Sequence, residues 1–276
     1  MMTDSPLSFV NQDLRNCSFY QRDLRQAVFE RCDLRGCDFR RAQLQAATFR
    51  QVKLGKCPVR LLGYSAIVIG AAVLMFNAVS RLAFAVLGQT VQDPTWPYAL
   101  ALYVNLAIAG ITVPRGRRPW QQLTVGITAA AAGALLGFYY VGSLSGNSAR
   151  PALLGAAIGG LSLAIVRLWQ LHRGLVAAAM VVSNAIAAYG FAFLAIGLAS
   201  AGFSTGHLGL GALWGGLTAV YFSLSLRGLL QCDRSLRFAA ATKFQGADLT
   251  DAVFEDSRPS YISFENALGL LSSENL

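Results

Sequence analysis

The chain has 276 residues, of which 54% are hydrophobic and only 13% charged, and its mean hydropathy is positive. A soluble globular domain carries about 25% charged residues, so this composition excludes an ordinary soluble globule. The net charge of +9 is unevenly spread: residues 1–60 hold 11 basic and 6 acidic side chains, residues 231–276 hold 4 and 7. The apolar residues concentrate between Leu61 and Leu230, giving three parts: an N-terminal arm at 1–60, a membrane domain at 61–230 and a C-terminal arm at 231–276.

The first residues, MMTDSPLSFVNQ, have no basic start and no apolar run, so no signal peptide is expected. A period of five follows. Phe9, Leu14, Phe19, Leu24, Phe29, Leu34, Phe39, Leu44, Phe49 and Leu54 are all large and apolar, and Phe alternates with Leu. An α-helix repeats every ~3.6 residues and a strand every ~2, so neither accounts for this spacing. A chain that turns a corner every five residues stacks on itself after four corners, as a solenoid does. Phe9, Phe29 and Phe49 then form one ladder, Leu14, Leu34 and Leu54 another, and Cys17, Cys37 and Cys57 a third; Val59 extends the pattern to residue 60.

Two positions before the ladder residue sit Cys17, Ala27, Cys32, Cys37, Ala42, Ala47 and Cys57, small enough for a tight interior, while Gln12, Arg22 and Val52 depart from that rule. One position before it sit Asp13, Asp23, Asp33 and Asp38, which suit turns. The stretches CDLRG (32–36) and CDFRR (37–41) resemble the A(D/N)LXX motif of the pentapeptide-repeat family. That resemblance implies a right-handed, four-sided parallel β-helix over residues 7–60 and, more weakly, 238–270. It is specific for fold and nearly silent on function.

Apolar segments long enough to cross a bilayer recur near 61–87, 98–113, 121–143, 151–171, 174–199 and 206–230. The second is short, with Trp96, Pro97 and Tyr98 available to extend it into the interface. Loop charges alternate. Lys53, Lys56 and Arg60 flank the first span, Arg115, Arg117 and Arg118 fill the second loop, Arg167 and Arg173 mark the fourth, and Arg227, Arg234 and Arg237 follow the sixth. The first, third and fifth loops carry only Asp93, Arg150 and no full charge. By the positive-inside rule this predicts six spans with both termini cytoplasmic. The resemblance suggests a cyanobacterial plasma or thylakoid membrane.

Chemistry inside the spans is sparse. Between residues 61 and 232 the sole carboxylate is Asp93, in a loop, so a proton- or cation-coupled transporter is disfavoured. Arg81 and Arg167 lie late in their spans and are expected to snorkel to an interface; the alternative is an anion site of Arg81 with Asn77 and Asn105. Asn184 is expected to bond between helices. The pairs Gly133/Gly137, Gly155/Gly159 and Gly211/Gly215 predict close helix packing, within one chain or in a homo-oligomer. His172 and His207 fall on opposite membrane faces in this topology and so cannot share a haem. Four of the five cysteines occupy the small interior site, Cys232 stands alone and no C-x-x-C pair occurs, so reduced buried thiols are expected rather than a metal site.

The five-residue register returns at Phe244, Leu249 and Phe254, then Phe264, with Pro259 interrupting. QGADL (245–249) and TDAVF (250–254) match the motif. This arm is too short to bury its apolar centres alone. It is expected to dock on residues 41–60, with Phe244, Leu249 and Phe254 against the end of the Leu54/Val59 ladder, so that the two arms make one split solenoid.

No nucleophile with a base, phosphate loop, metal-ligand spacing or paired carboxylates occurs, so no enzyme activity, cofactor or metal is expected. The leading reading is a non-enzymatic integral membrane scaffold that presents a cytoplasmic solenoid to a protein partner or the membrane surface. Arg15, Arg25, Arg35, Arg40 and Arg50 each follow a ladder residue and project outward as its interaction face. Some soluble members of the family mimic DNA through acidic surfaces to bind gyrase; the basic first arm argues against that role, and no nucleic-acid partner is expected. The alternative is a transporter or channel with a solenoid lid. A third class is a pigment- or haem-binding membrane protein.

Overall fold

The computed structural model describes residues 7–111, 119–169, 174–257 and 262–269. The chain forms two compact units: Met1–Ser65 together with Leu236–Leu276, and Ala66–Ser235.

In the first unit four strands, β1 (Ser8–Val10), β2 (Val28–Glu30), β3 (Thr48–Arg50) and β4 (Val253–Glu255), lie in that order in one parallel sheet. Phe9 pairs with Phe29, Phe29 with Phe49, and Phe49 with Phe254. Three further columns of parallel bridges run beside the sheet: Asp13–Asp33–Lys53, Ser18–Asp38–Lys243–Ser263 and Asp23–Gln43–Asp248–Leu268. The period of five comes from the corners. After Leu14, Phe19, Leu24, Leu34, Phe39 and Leu44 the N–H of the third following residue bonds back to the ladder residue's carbonyl, for example Cys17 to Leu14 at 3.1 Å. The second following residue is left-handed, as at Asn16 (φ 62°), Gln21 (57°), Gln26 (58°), Arg41 (57°) and Ala46 (54°). Side chains in that conformation are held at roughly 1–2 kcal/mol each, offset by the interior they close.

That interior is built of rings and small side chains. Phe29, Phe39, Phe49 and Phe244 are all 0% exposed. Successive rings in a ladder are stacked, as Phe9 on Phe29 (centroids 4.9 Å apart, planes 7° from parallel) and Phe29 on Phe49 (5.0 Å, 4°). Rings of neighbouring ladders meet edge to face, as Phe29 with Phe39 at 5.9 Å. Both geometries suit the ring quadrupole. Gln12 and Arg22 are exposed in the first described coil, whereas Val52, two coils on from Gln12, is buried.

The chain leaves this solenoid one residue earlier than the ladder suggests. Helix α1 (Pro58–Val86) starts at Pro58, whose fixed φ suits a first helical position. Val59 is therefore not a rung: it lies on α1 and is 67% exposed. Lys243 stands opposite Asp38, where another 20-residue step would place residue 58. Phe244 takes the rung, stacked on Phe39 at 5.0 Å and 2°. Leu44 N–H donates to the Asp248 carbonyl at 2.8 Å, and Phe254 stacks on Phe49 at 4.7 Å. The returning arm thus docks on Phe39, Leu44 and Phe49 rather than on the Leu54/Val59 ladder. At the junction Cys57 N–H donates to the Ala240 carbonyl at 3.0 Å and Thr242 N–H to the Gly55 carbonyl at 3.1 Å. Buried Thr242 also donates its hydroxyl to the Leu34 carbonyl at 2.9 Å.

The second unit contains most of α1 and α6 (Leu208–Ala239), with α2 (Trp96–Ala109), α3 (Pro119–Leu144), α4 (Ala149–Trp169) and α5 (Gly174–Ser204). Five of the six helices are long and apolar enough to span a membrane. The second is not: its 14 residues end at Ala109 with Gly110 as cap, short of the expected 98–113, and reach about 21 Å at 1.5 Å per residue. Two glycine pairs interlock. A Cβ at Gly133 would run into the Gly159 carbonyl, and one at Gly137 into the Gly155 carbonyl, so α3 and α4 touch backbone to backbone. Of the third pair only Gly211 is closely packed. A Cβ at Gly211 would lie 2.7 Å from the Phe203 ring of α5, whereas one at Gly215 would point into open space.

Candidate functional site

The outward arginines of the solenoid are tied to carboxylates by the local geometry of the corner. An aspartate one position before the ladder residue and an arginine one position after it point the same way. Arg15, Arg25, Arg35 and Arg40 each donate Nε and Nη2 to Asp13, Asp23, Asp33 and Asp38, with Nη2–Oδ2 distances of 2.5, 2.6, 2.6 and 2.6 Å. The backbone N–H of each arginine adds a bond to the same carboxylate at 3.1–3.2 Å. Arg15 Nε also lies 3.9 Å from Asp33 on the next coil. Arg50 pairs with Glu255 across the seam at 2.6 Å. The five arginines expected to face a partner therefore each carry a carboxylate of this chain.

The carboxylates respond accordingly. The Arg15 guanidinium, helped by its N–H, holds Asp13 down to about 2. Hydrogen bonds from the Arg25 guanidinium and N–H also lower Asp23. Burial opposes ionisation of Asp33 and Asp38, yet the hydrogen bonds from Arg35 and Arg40 outweigh it and both lie below the ordinary value.

The thiols diverge. Burial first, then Cys17, pushes Cys37 up to about 12, and its Sγ donates to the Leu14 carbonyl at 2.9 Å. At Cys57 burial also opposes ionisation, but the N–H groups of Arg60 and Val59 and the Asn16 amide, 3.2 Å away, bring the thiol below its usual value. Gly36 makes room for this contact: with φ +76°, a Cβ there would lie 2.5 Å from Asn16 Oδ1 and 3.0 Å from Cys57 Cβ. Among the described residues no three metal-ligating side chains cluster.

The corner beside the junction gathers cations that the sequence reading did not single out. Arg60 Nη1 donates to the Gly36 carbonyl at 2.8 Å, and its guanidinium lies 5.8 Å from the Tyr64 ring centre. Lys243 is half-buried opposite Asp38. The signal available for Arg60 was its place at the start of an apolar run; for Lys243 it was the five-residue register counted back from Phe244.

Within the second unit Arg81 donates Nε to Asn77 Oδ1 at 3.1 Å, one turn away on α1. Asn105 Oδ1 is enclosed without a hydrogen-bond partner, so no bond joins it to that pair. Asn184 Oδ1 is likewise without a partner, so the expected interhelical bond to it is not made. Arg167 is buried, at 9% exposed. His207 is exposed, its Nδ1 3.1 Å from the Thr205 hydroxyl. Arg115, Arg117, Arg118, His172, Arg173 and Pro259 lie outside the described residues.

No curated protein and no solved structure matches this chain. The family model for pentapeptide repeats does match, in eight copies. Residues 13–53, whose ladders, bridges and latched corners are described above, are pentapeptide repeats.

Proposed function

We propose that this protein is a non-enzymatic, multi-pass membrane scaffold whose six helices all cross the bilayer. Both chain ends lie in the cytoplasm, where they build one right-handed, four-sided solenoid that binds a protein partner. The observation that carries this reading is the pairing of β3 with β4. A solenoid completed by chain from both ends of the helical segment keeps those ends on one side, and that requires an even number of crossings. Five long helices make an odd number, so the short α2 supplies the sixth. Packing of Leu102, Leu106 and Ala109 inside the unit and the interfacial residues Trp96 and Tyr98 are consistent with a short crossing.

A scaffold role agrees with the chemistry of the solenoid. Its corners are latched by their own ion pairs, which favours a rigid platform over a reactive cleft. An open groove of about 530 Å³ on one face is lined by polar side chains including Gln12, Arg31, Gln51 and Lys53, which suits recognition of a polar partner surface. The decisive measurement is in-situ cross-linking followed by pull-down from native membranes, comparing the wild type with Gln12→Ala/Arg31→Ala/Lys53→Ala. A partner captured by the wild type and lost in the variant supports the scaffold. Reporter fusions after residues 93 and 117 test the topology, and identical sidedness at both would overturn the six crossings.

A further inference from the structure

One corner of the solenoid holds positive charge that its own carboxylates do not answer. Both oxygens of Asp38, the residue opposite Lys243, are already taken by Arg40. Among the described residues no carboxylate lies within ion-pair distance of Lys243 or Arg60. The two residues bond to adjacent carbonyls, the Lys243 N–H to that of Cys37 at 3.0 Å and Arg60 Nη1 to that of Gly36 at 2.8 Å. After burial itself, Arg40 lowers the Lys243 pKa, Asp38 opposes, and Arg60 lowers it further. The first turn of α1 has the same sign, since it contains no acidic residue and a helix N-terminus is the positive end of its dipole. Arg60 cannot swing away freely, because the Gly36 carbonyl and the Tyr64 ring fix its guanidinium.

We propose that this corner, formed by Lys243 and Arg60 beside the first turn of α1, holds the phosphate of an anionic lipid headgroup. Arginine's planar fork and lysine's point charge together suit a phosphate diester. The source is a lipid rather than a soluble phosphate because Arg60 lies in the first turn of α1, an apolar helix of 29 residues. Val59 and Leu62 of that helix are 67% and 71% exposed, so acyl chains anchored at Arg60 meet apolar surface beside it. The inference rests on α1 crossing the bilayer, as read above.

The test uses the full chain in neutral detergent. Native mass spectrometry compares binding of phosphatidylglycerol with phosphatidylcholine, for the wild type, Arg60→Gln/Lys243→Gln and, as an exposed basic control, Arg22→Gln. The wild type and Arg22→Gln are expected to prefer phosphatidylglycerol, and the double variant to bind it about tenfold more weakly. Hydrogen-exchange protection of residues 7–57 checks that the double variant keeps its solenoid, and Arg60→Lys, which keeps the charge, is expected to retain most of the preference. Undiminished phosphatidylglycerol binding by the double variant would overturn the proposal. So would equal competition by soluble glycerophosphoglycerol, which would point to a free-phosphate site. Release of the protein from membranes by alkaline carbonate would separately sink the spanning reading, and the lipid source with it.

Discussion

Phe39 and Phe244 stack face to face, ring centroids 5.0 Å apart and planes 2° from parallel, although the whole helical segment separates them in the chain. Phe244 also meets Phe49 edge-on at 6.0 Å and stacks on Phe264 at 5.4 Å. It is thus enclosed on both faces by rungs from each arm. Its position makes the solenoid's integrity depend on the chain that returns from the helices.

Phe244→Ala is therefore expected to cost about 3–5 kcal/mol, the range for deleting a buried ring. The loss should appear as tryptic cleavage within residues 7–57 under conditions where the wild type resists. Arg25→Ala, whose pair with Asp23 is largely exposed, should leave resistance near that of the wild type. Equal cleavage of the two variants would contradict the assignment of Phe244 as an interior rung.

The ladder was readable because each interior position recurs every five residues and takes a distinctive residue type. What escaped the sequence was where that ladder stops. Val59 continues the register as well as Leu54 does, and only Pro58, a favoured first residue of a helix, hints that the chain departs. The latches are half-legible: an aspartate before and an arginine after Leu14, Leu24, Leu34 and Phe39 stand in the sequence, but that left-handed corners turn them toward each other follows from backbone geometry. Asn16 against Cys57 was not legible, because the two residues meet only through Gly36 and the stacking of three coils.

Acid should loosen the latches in a defined window. The folded-state pKa of Asp13, Asp23, Asp33 and Asp38 lies below the ordinary 3.8, with Asp13 near 2. A lowered carboxylate pKa stabilises the fold above the unfolded value, and that stability is lost as pH falls through the folded one. Hydrogen-exchange protection of residues 7–57, corrected for intrinsic rates, should hold at pH 5 and decline between about pH 4 and 2. In Asp33→Asn/Asp38→Asn the decline should be shallower from a lower starting level. An unchanged acid profile in that variant would refute the electrostatic role of the latches.

Gly137 of α3 should be sharply unequal to Gly215 of α6. Gly137→Val forces a side chain into the Gly155 backbone, and overpacking of this kind costs about 1–3 kcal/mol or more. Gly215→Val points into open space and should leave the thermal midpoint in detergent nearly unchanged. A lowered midpoint for Gly215→Val, with Gly137→Val unaffected, would show that the contact between α3 and α4 is not the one that holds the unit.

Removing the returning arm should unmake the solenoid without unmaking the helices. In the absence of residues 238–276, β3 loses its parallel partner β4 and leaves a row of unpaired backbone groups, the usual liability of an edge strand. The carbonyls of Lys243, Asp248 and Thr250, which now accept from Phe39, Leu44 and Ala46, would be gone. So would the rings that cover Phe39 and Phe49 and the Thr242 hydroxyl that reaches the Leu34 carbonyl. The remaining coils, residues 7–57, would keep the latches at Asp13, Asp23, Asp33 and Asp38, but those pairs are exposed or only partly buried and of small energy. The deletion variant should still resist extraction by alkaline carbonate, while trypsin cuts within residues 7–57 at concentrations the full chain withstands. Supplying residues 238–276 as a separate peptide should restore part of the resistance, because the register is carried by the rungs themselves. A deletion variant whose first arm stays fully resistant would show that the solenoid is complete without the returning arm and would remove the argument for an even number of crossings.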